Sequence, residues 1–526
     1  MKTSYLILAV SLAGFGACRM DSVTGTVTAS VSTKNPTAIE RGFAGYNVAL
    51  SGAAIGYTNE RLLALASTLA PGWLRYPAGT KSDAFDWHTG LSPQAWVDRF
   101  HVRGDTDPNR TYYFPFLEKI HMVLAGKGGD KLDDAVRFAN GTGAVGLIVC
   151  VNAFTDTPAS AGAFAAYARS HGIRVLAWQL ANEAYLPGFR GFFPTASDYA
   201  TQMQPFADAI KKADPSAKIS LFLSNASFPD TTWDQGLAAF RPRYWDLLSY
   251  HQYPLFSEDS LADLLAELDA ELVLNSAGYV ESHVVPRFGP MPVIVTEADP
   301  GMGQPPNMNG TLYGGVWAAE YAMRLSRLPQ VKHVGMHQLS GTGGVDMAHD
   351  HVDDVVNAYK RGVTLDTRTL DFGLFISAQG AAYALAARTI NSASLIYPTV
   401  TSGGATIRLT PVGSPTRGMI QSATGFAPAG TPLAKEGDTA PAVFAQAYGE
   451  QSGPVTVVVT NKGVHQESLV IQVDGLRLRG PFRVTTVTGS GPMVVNSSAS
   501  AAVKEVSSEA RDAVVLPPYS VVRITW

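Results

Sequence analysis

The sequence predicts an α/β fold, a (β/α)₈ TIM barrel with a C-terminal antiparallel β-sandwich domain. Eight short apolar segments end in small or polar residues, and helical stretches lie between most of them, which is typical of a closed parallel barrel. After about Ser392 the segments become β-branched and are separated by Gly, Pro and Ser, which is typical of a sandwich. The length of 526 residues also favours more than one domain.

The predicted barrel occupies residues 41–392. Its strand candidates are nearly continuous apolar runs, which indicates burial on both faces of the sheet. They are residues 46–50, 73–76, 146–152, 175–183, 219–225, 247–251, 293–297 and 334–338. Helical stretches between them include residues 161–170, 199–213 and 261–272.

The predicted sandwich occupies residues 393–526. Segments 455–460, 468–473 and 521–525 are rich in Val, Ile and Thr, the residues that favour strands. Segment 27–31 alternates in the same way. We therefore expect residues 19–40 to contribute a strand to the sandwich before the chain enters the barrel.

The first 18 residues have the features of a signal peptide. Lys2 precedes an apolar run, and small residues follow up to Ala17, directly before Cys18. Cys18 lies where a bacterial lipoprotein carries its lipid-modified cysteine; the alternative is cleavage near Ala17 and release. We expect export to the periplasm, the cell surface or the medium, with membrane contact only through a lipid on Cys18. Cys150, the second cysteine, is expected to be a buried thiol in an inner strand.

Composition and charge narrow the choice of partners. The chain is 46% hydrophobic, which is enough for a large core, and its formal net charge is −4. A chain with this balance has no basic surface suited to nucleic acid or to an anionic membrane. We therefore expect no nucleic-acid partner.

Two predicted strands end in a glutamate. The segment "WQLANEA" carries Asn182 and Glu183, and the segment "PVIVTEAD" carries Glu297. The carboxyl ends of barrel strands meet at one mouth, and glycoside hydrolysis needs two carboxyl groups flanking the scissile bond. We therefore expect Glu183 and Glu297 to face each other across a sugar-sized gap. Asp299 competes with Glu297 but follows the apolar run by a further step.

Both segments resemble the acid/base and nucleophile strands of the clan of retaining (β/α)₈ glycosidases. Within this clan (clan A), the sequence is most similar to the heparanase and β-glucuronidase family, glycoside hydrolase family 79. "LRYPAGTKSD" (74–83) is similar to that family's Arg-x-Gly-Gly-Thr-x-x-Asp segment, with one extra residue. Segments 135–154 and 167–183 are also similar, as is "SYHQYP" (249–254), which matches the His-x-Tyr end of strand six.

The resemblance implies a retaining hydrolase that acts through a covalent glycosyl-enzyme intermediate, without cofactor or metal, on a saccharide or glycoconjugate. Glu183 would be the general acid/base and Glu297 the nucleophile. The implied substrate-binding residues are Asn182 at the sugar 2-hydroxyl, Arg75 beside Glu297, His251 and Tyr253 in the pocket, and Asn47 and Thr80 in subsite −1. Arg75 could instead be a structural ion-pair partner.

Departures from the family pattern leave the substrate open. Ala181 and Ala184 replace the Gly and Pro of the family's Gly-Asn-Glu-Pro. The loop 340–346 keeps its glycines but lacks the tyrosine that heparanase-like enzymes offer to a uronic-acid carboxylate. A β-glucuronide is therefore one expectation, and a neutral α-L-arabinofuranoside or β-xyloside is the alternative.

Two other classes of protein are also compatible with the sequence. One is a non-catalytic carbohydrate-binding barrel. The other is a metal-dependent barrel hydrolase that uses the His and Asp residues of segment 349–354 as ligands. A solvated polar loop is the simpler interpretation of that segment.

Overall fold

In a computed structural model, the chain is described over residues 25–100, 108–254, 260–301, 308–410 and 433–526. The predicted signal peptide, with Cys18, lies outside the described residues. No helix in the described part of the chain combines the length and the apolar character that crossing a membrane requires.

The predicted barrel is confirmed as a closed ring of eight parallel strands. Two strands precede it, β1 (Thr26–Val31) and β2 (Thr37–Ala38). The barrel strands are β3 (Ala44–Asn47), β4 (Leu74–Tyr76), β5 (Leu147–Val151), β6 (Val175–Leu180), β7 (Ile219–Phe222), β8 (Leu247–Gln252), β9 (Val293–Ala298) and β10 (Val331–His337). Strand β10 pairs with both β9 and β3, which closes the ring.

The fourth barrel strand is shorter than predicted. We expected it to run to Glu183, but β6 ends at Leu180. Ala181 and Glu183 have φ angles of 65° and 45°, in the left-handed region that a strand cannot contain. The chain therefore leaves the sheet before the predicted acid/base and turns sharply over the mouth of the barrel.

Helices surround the barrel and supply its outer layer. They are α1 (Glu60–Leu69), α2 (Gln94–Phe100), α3 (Pro108–Gly126), α4 (Leu132–Thr142), α5 (Pro158–Ser170), α6 (Ala196–Ala213), α7 (Thr231–Ala239), α8 (Leu261–Ala270), α9 (Ser276–Tyr279), α10 (Val285–Phe288), α11 (Leu312–Ser326), α12 (Val352–Lys360) and α13 (Ala378–Ser392). Polar side chains cap the N-termini of several of these helices. At α6, Thr195 and Asp198 form a reciprocal capping box. The three predicted helical stretches correspond to α5, α6 and α8.

Most of the remaining strands build the β-sandwich. They are β11 (Val345–Asp346), β12 (Phe375–Ile376), β13 (Leu395–Tyr397), β14 (Thr399–Gly403), β15 (Thr406–Arg408), β16 (Thr439–Pro441), β17 (Val443–Glu450), β18 (Gly453–Asn461), β19 (Glu467–Val473), β20 (Leu476–Arg477), β21 (Phe482–Thr488), β22 (Lys504–Ala510), β23 (Val514–Leu516) and β24 (Ser520–Thr525), of which β11–β12 and β15–β16 are separate two-stranded ladders. One sheet has the order β2-β13-β17-β18-β24-β21-β22. In the other, β1 lies between β14 and β19, antiparallel to the first and parallel to the second.

The sandwich is joined to the barrel by a buried ion cluster centred on Glu320 of α11. Lys462, which follows β18, donates from Nζ to both Glu320 carboxylate oxygens at 2.7 Å, and neither side chain is exposed. Arg324 and Thr460 donate to the same carboxylate. Burial alone would raise the pKa of Glu320, but the charges of Lys462 and Arg324 lower it to about 2.

We expect Lys462→Met to lower the free energy of unfolding by about 3 kcal/mol, because removing one partner of a buried ion pair leaves an uncompensated charge. Chemical denaturation followed by circular dichroism measures the loss. Lys504→Met, on an exposed edge strand, is the matched control and should change the value by less than about 0.5 kcal/mol. Equal stability of the two variants would show that the cluster does not hold the domains together.

Candidate active site

Arg75 of β4 lies at the centre of the barrel mouth and is completely buried. Its guanidinium donates to Glu297 Oε1 at 2.5 Å, to Asn182 Oδ1 at 2.7 Å and to Gln179 Oε1 at 2.7 Å. A buried guanidinium needs a counter-charge and filled hydrogen bonds. Arg75 therefore links strands β4, β6 and β9 through its hydrogen bonds.

The carboxylate of Glu297 is held from two sides. Asn47 Nδ2 donates to Oε1 at 2.7 Å, beside Arg75, and the Tyr253 hydroxyl donates to Oε2 at 2.5 Å. A side chain at position 79 would overlap Oε1, which explains the glycine there. Glu297 is thus fixed in one orientation, with 7% of its side chain exposed.

Glu183 is held by different partners. Its Oε1 accepts from the Tyr185 hydroxyl at 3.1 Å and lies 2.7 Å from His251 Nδ1. The preceding backbone N–H, of Asn182, donates to the buried carboxyl group of Asp83 at 2.9 Å. This bond braces the sharp turn that carries Glu183, whose side chain is 15% exposed.

His251 lies between the two glutamates. Its Nδ1 is 2.7 Å from Glu183 Oε1 and 3.6 Å from Glu297 Oε2. These oxygens are therefore at most about 6.3 Å apart, the sum of the two distances. That limit is close to the ~5–5.5 Å typical of retaining glycosidases and below the ~6.5–9.5 Å of inverting ones.

The two glutamates have opposite pKa shifts. Burial raises the pKa of Glu183, and the hydrogen bond from Tyr185 offsets this only in part. Burial would also raise the pKa of Glu297, but electrostatic interactions with His251, His337 and Arg75 outweigh burial and lower it. Because burial lowers the pKa of His251 to about 3, and lowers that of His337, Arg75 is the charge present at neutral pH. Burial thus raises the pKa of the predicted acid/base, while the surrounding groups lower the pKa of the predicted nucleophile.

The structure brings all eight sequence-predicted site residues into one contact network. Asn182 accepts from Arg75 and donates from Nδ2 to Thr80 Oγ1 at 3.1 Å. The competing carboxylate, Asp299, accepts instead from Gln379 Nε2 at 2.9 Å, and burial raises its pKa well above the usual value. Asp299 therefore lacks the guanidinium partner that Glu297 has.

Several site residues were not identified from the sequence. Gln179 and Thr296 lie inside strands; Gln179 donates to Thr296, which in turn contacts His251 Nε2 at 2.9 Å. His337 ends β10, with its ring edge-on to Tyr253 at 5.9 Å. Gln179 and Thr296 interrupt apolar strands and could have been recognised as lumen-facing polar residues, whereas nothing local distinguishes His337.

The His and Asp segment beyond the barrel was the proposed alternative metal site. There, His351 Nδ1 contacts Asp354 at 2.8 Å, and its Nε2 lies 3.3 Å from the carbonyl oxygen of Asp371. Within the described ranges, no three His, Cys, Asp or Glu side chains are grouped so that they could hold a metal ion.

No protein-family model matches the chain, and no curated protein matches it significantly. Solved structures do resemble it: a family 51 arabinofuranosidase from Xanthomonas axonopodis pv. citri has a TM-score of 0.62 at 14% identity, with 95% of this chain and 99% of that one covered. A family 51 α-L-arabinofuranosidase from Bifidobacterium longum gives 0.64 at 15%, covering 96% and 99%. A 4-O-α-L-rhamnosyl-β-D-glucuronidase from Fusarium oxysporum 12S gives 0.55 at 13%, covering 95% and 100%.

These likenesses show that the fold, a barrel followed by a β-sandwich, is shared over nearly the whole chain. They give no preference to glycoside hydrolase family 79. The nearer resemblance to that family stays a prediction from the sequence.

Proposed function

We propose that this protein is a retaining glycoside hydrolase. The observation that carries the proposal is the pair Glu183 and Glu297, bridged by His251, with oxygens at most about 6.3 Å apart. Burial raises the pKa of Glu183, whereas interactions with His251, His337 and Arg75 lower that of Glu297, and these are the directions that an acid and a nucleophile need.

In the first step, Glu297 Oε2 attacks the anomeric carbon. This oxygen faces His251 and Glu183 and accepts one hydrogen bond, from Tyr253, whereas Oε1 accepts two. The bond from the anomeric carbon to the leaving oxygen breaks, and Glu183 gives that oxygen its proton. A covalent glycosyl ester of Glu297 results.

In the second step, the Glu183 carboxylate takes a proton from water. The water oxygen attacks the anomeric carbon, the ester bond breaks, and the Glu297 carboxylate is regenerated beside Arg75. Asn182, fixed by Arg75 and Thr80, is placed to hydrogen-bond the sugar 2-hydroxyl through its remaining amide hydrogen.

Two classes of substrate are proposed. A β-glucuronide agrees with the sequence resemblance to the heparanase and β-glucuronidase family, and one structural neighbour is named for a β-D-glucuronide. An α-L-arabinofuranoside is the second candidate, since several neighbours are named for it. Export, with or without lipid on Cys18, is proposed from the sequence.

A panel of nitrophenyl glycosides tests the function: β-glucuronide, β-glucoside, β-xyloside and α-L-arabinofuranoside, each with and without EDTA. Hydrolysis that persists in EDTA supports the proposal. Hydrolysis that EDTA abolishes would favour the metal-dependent alternative, and binding of sugars without any hydrolysis would favour the non-catalytic barrel.

We expect kcat/KM to be bell-shaped in pH, since it falls below the lowered pKa of Glu297 and above the raised pKa of Glu183. Two matched variants show which glutamate controls the acidic limb of this pH profile and which controls the basic limb. Tyr185→Phe removes a donor that favours ionised Glu183, so its pKa rises and the basic limb moves to higher pH. Tyr253→Phe removes a donor to Glu297, so the acid limb moves upward instead. If Tyr185→Phe moved the acid limb and Tyr253→Phe moved the basic limb, the roles of Glu183 and Glu297 would be reversed.

A further inference from the structure

Lys81 is a cationic side chain at the barrel mouth that the proposed reaction does not use. It lies in the one-turn 3₁₀ helix Thr80–Ala84, directly after Thr80, whose hydroxyl accepts from Asn182. Two residues earlier, Gly79 packs against the carboxylate of Glu297. The segment that carries Lys81 therefore also contacts the candidate nucleophile, Glu297.

The amine of Lys81 has a defined position. Its Nζ and Cε pack against Gly52, at the end of the 3₁₀ helix Leu50–Gly52 that follows β3, and a side chain at position 52 would overlap both atoms. Next to Gly52 in the chain, Ser51 has a buried hydroxyl without a hydrogen-bond partner. Two segments of the mouth thus place an ammonium and an unused hydroxyl in the same region.

The charge of Lys81 is not neutralised within the described part of the chain, which gives it no ion pair and no hydrogen bond. Lys127, its neighbour, differs: its amine donates to the carbonyl groups of Leu50, Ala53 and Ile55 and pairs with Asp130 at 2.9 Å. The negative charge of Glu297 is matched by Arg75. Among the described residues of the mouth, Lys81 therefore carries a positive charge that no carboxylate pairs with.

The amine of Lys81 is also electrostatically coupled to the reacting groups. Burial, together with repulsion by Lys127, lowers the pKa of Lys81 to about 8, while the negative charges of Asp130 and, to a smaller extent, Glu297 raise it. The charge of Lys81 in turn lowers the pKa of His337. The amine remains largely protonated at neutral pH, and a partly buried ammonium without a counter-ion is costly unless a ligand supplies one.

We infer that Lys81 binds an anionic substituent of the saccharide, a carboxylate or a sulfate ester, beside the nucleophile, with the Ser51 hydroxyl as a second donor. This inference rests on the proposed function and narrows its substrate class to acidic sugars. A charge-assisted hydrogen bond from a partly buried ammonium favours an anionic group over a neutral group at the same position.

The test is a calorimetric titration with three non-hydrolysable ligands: phenyl 1-thio-β-D-glucuronide, phenyl 1-thio-β-D-glucoside and its 6-sulfate. We expect the wild-type protein to bind at least one anionic ligand about tenfold or more tightly than the neutral one, and which anionic ligand it prefers separates carboxylate from sulfate. Lys81→Met should remove the preference, and Lys81→Arg should keep part of it. Lys218→Met, which removes an exposed charge just before β7, is the matched control and should leave the preference unchanged.

The titration and the turnover assay decide different claims. A wild-type protein that binds none of the ligands, or binds them equally, overturns the role of Lys81, as does a preference that survives in Lys81→Met. Hydrolysis of a glycoside by that same wild-type protein would leave the proposed function standing. Failure to hydrolyse any glycoside would overturn the proposed function itself.

Discussion

Replacing Glu297 by Gln is expected to lower kcat/KM about 10⁴-fold or more on every glycoside that the wild-type enzyme hydrolyses. An amide cannot form the glycosyl ester, so the double displacement loses its first bond. Losing a nucleophile removes nearly all of the catalysis that depends on it and leaves only the contribution of binding. Steady-state kinetics on the best nitrophenyl substrate measure the effect.

The control for this loss is Asp299→Asn. Asp299 is the neighbouring buried carboxyl group, it forms no ion pair with Arg75, and an amide of the same shape can replace it. We expect kcat to change by less than about tenfold. Glu297→Gln leaves Arg75 without its counter-charge, so near-ultraviolet circular dichroism must show that it has folded. A folded Glu297→Gln with near-normal turnover, or a larger loss in Asp299→Asn, would mean that the nucleophile has been misassigned.

Replacing Glu183 by Ala is expected to give a loss that depends on the leaving group. Substrates that leave as alcohols need the proton and should lose about 10²–10⁴-fold in kcat/KM. Dinitrophenyl glycosides leave without protonation, so their first step should be nearly unaffected. Their second step still needs a base, so the glycosyl-enzyme should accumulate and produce a burst of dinitrophenolate.

Azide separates the two roles of Glu183. A small anion can occupy the space of the removed side chain and attack the intermediate without a general base. We therefore expect azide to restore turnover of the dinitrophenyl glycoside in Glu183→Ala and to yield a glycosyl azide of retained configuration. The matched variant Tyr185→Phe, which keeps the carboxyl group, should show no azide effect. An equal loss on all leaving groups, with no rescue, would contradict the acid/base role.

The barrel and its central carboxylates could be predicted because their signals are local. Apolar runs of strand length, separated by helices, leave few alternatives to a parallel barrel. A glutamate at the end of such a run is costly to bury without a partner. Since barrel topology brings strand ends together, Glu183 and Glu297 could be paired although 114 residues separate them.

Other features had no local signal. Alanine and glutamate do not favour positive φ, so the left-handed turn at Ala181 and Glu183 could not be expected from residue preference. The cluster of Glu320 and Lys462 joins residues 142 positions apart on different domains. Nothing near Lys81 in the sequence distinguishes it from other lysines, because its environment depends on packing against Gly52 in another loop.

Trapping the glycosyl-enzyme tests the central claim most directly. A 2-deoxy-2-fluoro glycosyl fluoride, made in the configuration that the enzyme hydrolyses, should raise the intact mass by one fluoroglycosyl unit. Peptide mapping should place that unit on Glu297, and Glu297→Gln should remain unlabelled. A unit attached to Asp299 or Glu183, or hydrolysis that proceeds with inversion at the anomeric carbon and leaves no adduct, would contradict the account.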